Sequence, residues 1–137
     1  MELKDLQAHA RHIRRNIIRM VYEAQSGHPG GSLSSADILC ELYFEVMDLD
    51  AANASLKDRD RFVLSKGHAS PLLYAALAEK GILAEEQLWT FRKIDSKLQG
   101  HPNMNYVPGV DMSTGSLGQG LAAADGMALA NKLSAGK

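Results

Sequence analysis

Along the first two dozen residues, apolar or small side chains fall at Leu3, Leu6, Ala10, Ile13, Ile17, Met20 and Ala24, alternating steps of three and four. That spacing predicts one stripe on a helix over about residues 3–24. Its apolar face is core-facing or helix-pairing. His9 and His12 fall off the stripe and read as solvated surface. Gly27 and Pro29 stop the helix. A second helix is expected after Ser34 or Ser35 as N-cap, burying Ile38, Leu39, Leu42, Tyr43 and Val46. Residues 48–61 are polar and loop-like. The short apolar run from Arg61 to Ser65, bounded by charge and glycine, reads as a buried strand.

Further on, Ser70 is positioned to cap a helix that has Pro71 in its first turn and Gly81 just past its end. A short helix over 84–92 would carry Leu88, Trp89 and Phe91, and residues 94–111 read as loop. An alanine-rich helix then follows the glycines of 115–120 and ends near Leu133. Gly118, Gly120 and Gly126, with Ala122, Ala123 and Ala124, leave that helix almost without bulk near its start. Each glycine costs about 1 kcal/mol against alanine in a helix, so several together suggest that something approaches the backbone closely. No repeat, low-complexity tract or interdomain linker is evident.

Composition narrows the class. The 137 residues fit one domain, with 45% hydrophobic and 23% charged residues. A net charge of −1 gives no footprint for nucleic acid and no basic face for a membrane. The single cysteine, Cys40, excludes an internal disulfide framework and fits a reducing, cytoplasmic setting. It falls inside a helix and reads as a small apolar core residue. The opening residues, with Glu2, Lys4 and Asp5, do not form a secretory leader.

The candidate chemistry sits in loops. Of five histidines, three directly follow a glycine: His28, His68 and His101. Glycine removes bulk beside each imidazole, and Pro29 and Pro102 stiffen the chain after two of them. Imidazole serves where protons move near neutral pH and where hydroxyls or phosphates need donors. Thr114-Gly115-Ser116-Leu117-Gly118-Gln119-Gly120 puts glycines at a helix start, where free N–H groups and the helix dipole suit a phosphate or diphosphate, or where a helix merely packs tightly. The spacing is neither the dinucleotide fingerprint nor a P-loop. A zinc site from His28, His68 and His101, perhaps with Asp111, is a rival, but such long separations carry no ligand-spacing signature.

Taken in order, "SGHPGG" (26–31), "DRFVLSKGHASPLLYAALAEKG" (60–81), "GHPN" (100–103) and "STGSLGQGLAAADGMALA" (113–130) resemble the amino-terminal section of transketolase, a thiamine-diphosphate enzyme. The similarity covers essentially the whole chain, and "GGSLSS" after His28 looks like the transketolases that are split into two polypeptides. The resemblance implies an α/β fold in which residues 1–137 are the amino-terminal half of a thiamine-diphosphate-binding domain, helix-rich with few parallel strands. It implies transfer of a two-carbon ketol unit from a ketose phosphate to an aldose phosphate. By the same resemblance, His28 is catalytic and binds the sugar phosphate together with His101. His68 meets the cofactor diphosphate, and Gly115, Ser116 and Leu117 lie along the cofactor. Magnesium accompanies the cofactor in this family, through a Gly-Asp-Gly motif with a later asparagine. That motif is not found up to Lys137, so metal ligands are expected outside this chain. The implied partners are sugar phosphates and a carboxy-terminal, pyrimidine-binding subunit, in a homo- or hetero-oligomer. With those parts elsewhere, the chain alone is expected to be inactive, and a non-catalytic module that keeps the family surface is the alternative.

Overall fold

A computed structural model describes residues 1–134. The first helix, α1 (Leu3–Ala24), buries Ala10, Ile13, Ile17 and Met20 as the stripe requires, while Leu3 at its start is exposed. Its end is set before the glycine: Gln25 takes the left-handed conformation (φ 50°), and its N–H bonds back to the Tyr22 carbonyl at 3.2 Å. Gly27 follows at φ 139°, and a Cβ there would lie 3.0 Å from a methyl of Val21. Only glycine fits that turn without strain.

Beyond the turn the chain forms two short helices, α2 (Pro29–Leu33) and α3 (Ala36–Glu41), the latter running into a π-helical turn over Leu42–Val46. The expected single stripe is therefore broken. Leu39, Cys40 and Tyr43 are buried, but Ile38 and Val46 stand in solvent. Ser35 occupies the N-cap position without a side-chain capping bond, because its hydroxyl accepts from Lys66 Nζ at 2.6 Å.

The central helix is α4 (Ser70–Glu79), in which every residue from Ser70 to Leu77 is buried. A helix apolar on all sides needs neighbours on all sides, and α1, α2 and α3 pack against it. Ser70 is its first residue and does not cap it; its hydroxyl donates to the Gly100 carbonyl at 2.8 Å. His9 and His12 are likewise not free surface groups. His9 Nδ1 lies 2.6 Å from Glu79 Oε1, and His12 also reaches the Glu79 carboxylate. His9 further stacks on Phe44, with ring centroids 4.2 Å apart. These contacts tie α1 to the end of α4. The short helix expected over 84–92 is a 3-10 helix, Glu85–Thr90, and buries Leu88. The last element is α5 (Gln119–Leu133).

No strand occurs among the described residues. The run Arg61–Ser65 has no ladder neighbour, and the few parallel strands expected from the resemblance are absent from this part of the fold. Side chains satisfy its backbone instead: Phe62 N–H donates to Asp111 Oδ2 at 2.9 Å, and the Leu64 carbonyl accepts from Thr114 Oγ1 at 2.7 Å. Asp111 is anchored in turn by Arg59 at 2.7 Å and Arg61 at 2.9 Å, with 1% of its side chain exposed. Among the described residues no helix is long and apolar enough to cross a membrane.

Candidate cofactor and sugar site

Three connections bring the glycine-flanked histidines together. His28 closes the turn after α1 and stands at the N-cap of α2, where its carbonyl accepts the Ser32 hydroxyl at 2.9 Å. Ser32 is fully buried, so this bond fixes the backbone that carries the exposed imidazole. His68 lies in the 3-10 turn Gly67–Ala69 leading into α4. The two rings meet edge to face with centroids 5.1 Å apart. His101 is held from behind by α4: Tyr74 Oη donates to the Gln99 carbonyl at 2.8 Å and lies 3.4 Å from the His101 carbonyl.

Glycine makes this convergence sterically possible at two points. A Cβ on Gly67 would sit 2.4 Å from the Thr114 carbonyl oxygen, so the His68 turn can lie against residue 114 only without a side chain. A Cβ on Gly115 would lie 3.4 Å from the His101 ring, which places the glycine-rich turn directly beside that imidazole. The start of α5 is then pinned to the Arg61–Ser65 segment, because Gly120 rests on Ser65 and the Leu121 N–H donates to Ser65 Oγ at 3.1 Å.

Lys66 ties the other side. Its ammonium donates to the Gly31 carbonyl at 2.7 Å and to Ser35, linking the turn before His68 to α2 and α3. Desolvation, followed by the nearby His28, Lys66 and His101, pushes His68 below the ordinary histidine value. Lys66 supplies the fixed positive charge beside these imidazoles, and imidazole N–H groups can donate to an anion.

Of the residues singled out in the sequence, His28 and His68 meet ring to ring, Gly115 abuts the His101 ring, and His101 lies close enough to act on His68. Ser116 and Leu117 are exposed next along the turn, and Leu117 lines an apolar groove with Ser65 and Lys66. Asp111 does not join them, since its carboxylate is consumed by Arg59, Arg61 and the Phe62 amide. No group of three or more histidine, cysteine or acidic side chains able to hold a metal occurs among the described residues. Cys40 is buried, and desolvation pushes its thiol up to about 11, which makes it unreactive at neutral pH. The carbonyl contacts of Ser32, Ser70, Tyr74 and Thr114 escaped sequence reasoning, which read Ser70 only as a helix cap and Thr114 only as part of the glycine-rich turn. Each acts on a backbone carbonyl, mostly far along the chain, and hydroxyl residues of that kind carry no spacing signal.

Comparison with known proteins identifies the family. Residues 6–137 match the family model described as transketolase, thiamine diphosphate binding domain. The chain belongs to that family. It is 48% identical over 126 residues to the 6-deoxy-6-sulfo-D-fructose transketolase subunit SqwG of Clostridium sp. (strain MSTE9), an alignment covering 92% of this chain and 46% of that protein. It is 39% identical to an apulose-4-phosphate transketolase subunit of Phocaeicola vulgatus, over 97% of this chain and 47% of that protein. The chain thus spans about half the length of these two curated relatives. The solved transketolase from Leishmania mexicana superposes with a TM-score of 0.88 at 39% identity, covering 92% of this chain and 19% of that one. Those neighbours place the helix-rich segment within the α/β thiamine-diphosphate fold.

Proposed function

We propose that this chain supplies the diphosphate-binding part of a transketolase that moves a two-carbon ketol unit from a ketose phosphate to an aldose phosphate. The observation that carries the reading is the meeting of His28, His68 and His101 beside the open start of α5. The residues suit thiamine diphosphate. Gly118 precedes α5 at φ 90° with no side-chain cap, and a Cβ on Gly30 or Gly118 would meet nothing within 4 Å. Ser116, Leu117 and Gly118 are exposed at the start of α5, where a helix N-terminus suits a diphosphate, and His68 is the imidazole donor for it in this reading.

When bound, thiamine diphosphate supplies the electron sink that ketol chemistry needs. The protein's part is orientation and charge. His28 and His101 can donate hydrogen bonds to sugar oxygens where negative charge develops, and His28 can hold or return a proton there. Their loops are fixed from behind by Ser32 and Tyr74, so little reorganisation accompanies that donation. Magnesium would draw its ligands from outside the described residues, which contain no metal-binding cluster. The two curated relatives are named as subunits, which supports a partner subunit; in this reading that partner is carboxy-terminal, carries the pyrimidine site and completes the enzyme.

The test is ketol transfer by the assembled enzyme with thiamine diphosphate and magnesium present. His28→Ala is expected to slow turnover by about 10²–10⁴-fold, the usual worth of positioned acid–base help. Near-normal rates in that variant would make His28 a structural turn residue.

A further inference from the structure

Asp111 stands apart from the histidines, yet its side chain is 1% exposed and both carboxylate oxygens are engaged. Oδ1 accepts from Arg59 Nη2 at 2.7 Å and from Arg61 Nη1 at 2.9 Å. Oδ2 accepts from Arg59 Nη1 at 3.2 Å and from the Phe62 N–H at 2.9 Å. The Arg59 side chain is 4% exposed, and it also donates to the Ala54 and Asp60 carbonyls, at 2.9 Å and 2.8 Å. A pair buried this deeply adds little net stability, because desolvation offsets most of the attraction. A forked guanidinium on one carboxylate has one good geometry, however, and so fixes where each partner lies.

Two segments are joined there. Residues 61–68 and 111–121 touch at further points beyond the carboxylate. Thr114 Oγ1 donates to the Leu64 carbonyl at 2.7 Å, and a Cβ on Gly67 would come within 2.4 Å of the Thr114 carbonyl oxygen. Gly120 rests on Ser65, and the Leu121 N–H donates to Ser65 Oγ at 3.1 Å. These further contacts are neutral bonds and close glycine approaches; the charge-assisted ones are those of Asp111. His68 follows Gly67 directly, and the glycine-rich turn follows Thr114 directly. Both groups proposed for the diphosphate thus leave the same seam next to the contact of Gly67 with Thr114. A slip in the seam moves one against the other.

We propose that Asp111 is a positioning residue for the cofactor diphosphate: it holds residues 59–62 against the chain leading to Thr114, and so fixes the spacing between His68 and the glycine-rich turn. The proposal rests on the diphosphate-site reading of His68 and residues 115–117. Asp111 supplies no group to the ligand and acts only through these two loops. Hydrogen bonds weaken steeply with misalignment, so a shifted spacing loosens the grip on the diphosphate even in a folded protein.

Asp111→Asn keeps the side chain's shape but removes its charge and one acceptor oxygen. In the assembled enzyme, calorimetry should show thiamine diphosphate binding about 10–100-fold more weakly at unchanged stoichiometry, the loss expected for a charge-assisted contact. Turnover at saturating cofactor and the sugar KM should stay within about threefold of wild type. A merely structural role predicts the reverse, fewer competent sites with wild-type affinity. Arg61→Gln is the milder companion, because the Arg61 side chain is 42% exposed and its loss leaves the core filled. Its affinity should fall less than that of Asp111→Asn, and it decides by the same criterion should Asp111→Asn not fold. Wild-type affinity in the folded variants overturns the proposal. His68→Ala should weaken thiamine diphosphate less in the Asp111→Asn background than in wild type, and equal losses also overturn it. Independently of the cofactor, NMR of the full chain should show Asp111→Asn shifting the signals of Gly67, His68 and Gly115. Shifts confined to Arg59, Arg61 and Phe62 overturn the proposal. A wild type that binds no thiamine diphosphate overturns the functional reading, and the NMR shifts alone then decide whether Asp111 sets the spacing of these loops.

Discussion

α4 and α5 are built from nearly the same material and live in opposite surroundings. Both are rich in alanine and leucine, yet Leu72, Leu73, Tyr74 and Leu77 of α4 are at most 2% exposed. In α5 only Gly120 is buried, and Leu121, Leu129 and Leu133 are 61%, 57% and 78% exposed. Composition made both segments helical; neighbours decided which was core. α4 is gripped by α1, α2 and α3, and it passes that rigidity outward through Ser70 and Tyr74 to the loop carrying His101. α5 touches the rest mainly at its first turn, where it also borders the histidine cleft. One helix stabilises the site; the other presents it.

The contrast is broken most strongly by emptying α4. Leu72 is fully buried, and Leu72→Ala should destabilise the fold by about 2–5 kcal/mol, the usual cost of a large-to-small change with its cavity. Urea unfolding followed by circular dichroism measures it. A loss below 1 kcal/mol, on the order of a surface substitution, would mean that α4 is not the organising helix.

A smaller effect is expected where α5 joins the rest. A Cβ on Gly120 would lie 2.7 Å from Ser65 Cα, a backbone atom that cannot swing aside. Gly120→Val should therefore cost about 1–3 kcal/mol, the range for overpacking. It should also shift NMR signals of Ser65 and Leu121, whose hydrogen bond depends on that approach. Signals that stay in place would show that the α5 start is not pinned there.

These two helices also show what the sequence makes legible. The three-and-four spacing of Ala10, Ile13, Ile17 and Met20 is a local signal, and the structure buries those residues. The exposure of α5 has no such signature, because alanine and leucine read alike whether covered or not. Ile38 and Val46 were expected in the core, but α3 buries Leu39 and Cys40 and leaves Ile38 outside, and the π-helical turn over Leu42–Val46 rotates Val46 off the face that periodicity had projected. Local pattern also misplaced the segment Arg61–Ser65: apolar residues permit a strand, while a strand requires a partner with free backbone groups, and here Asp111 and Thr114 take that role. His9 and His12 found Glu79, some seventy residues away, which no spacing along α1 could reveal. The histidine cleft was partly readable because glycine marks each imidazole. The packing of Arg92 on Gly100 was not, since a contact between residues eight apart in an irregular loop leaves no pattern in the sequence.

The smallest change in stability and the clearest change in behaviour should come from the outer face of α5. Leu129 has more than half its surface in water, so Leu129→Gln removes no packing from the fold and should alter stability by no more than about 0.5 kcal/mol. What it does remove is apolar surface from a helix that also exposes Leu121 and Leu133. Such a patch favours association, because covering it releases water from apolar area. Sedimentation velocity over a range of concentrations should show wild type self-associating and Leu129→Gln doing so less. A strictly monomeric wild type would show that this face is tolerated in water. A variant that loses as much stability as Leu72→Ala would erase the distinction between the two helices, since α5 would then be holding the fold and not merely lying on it.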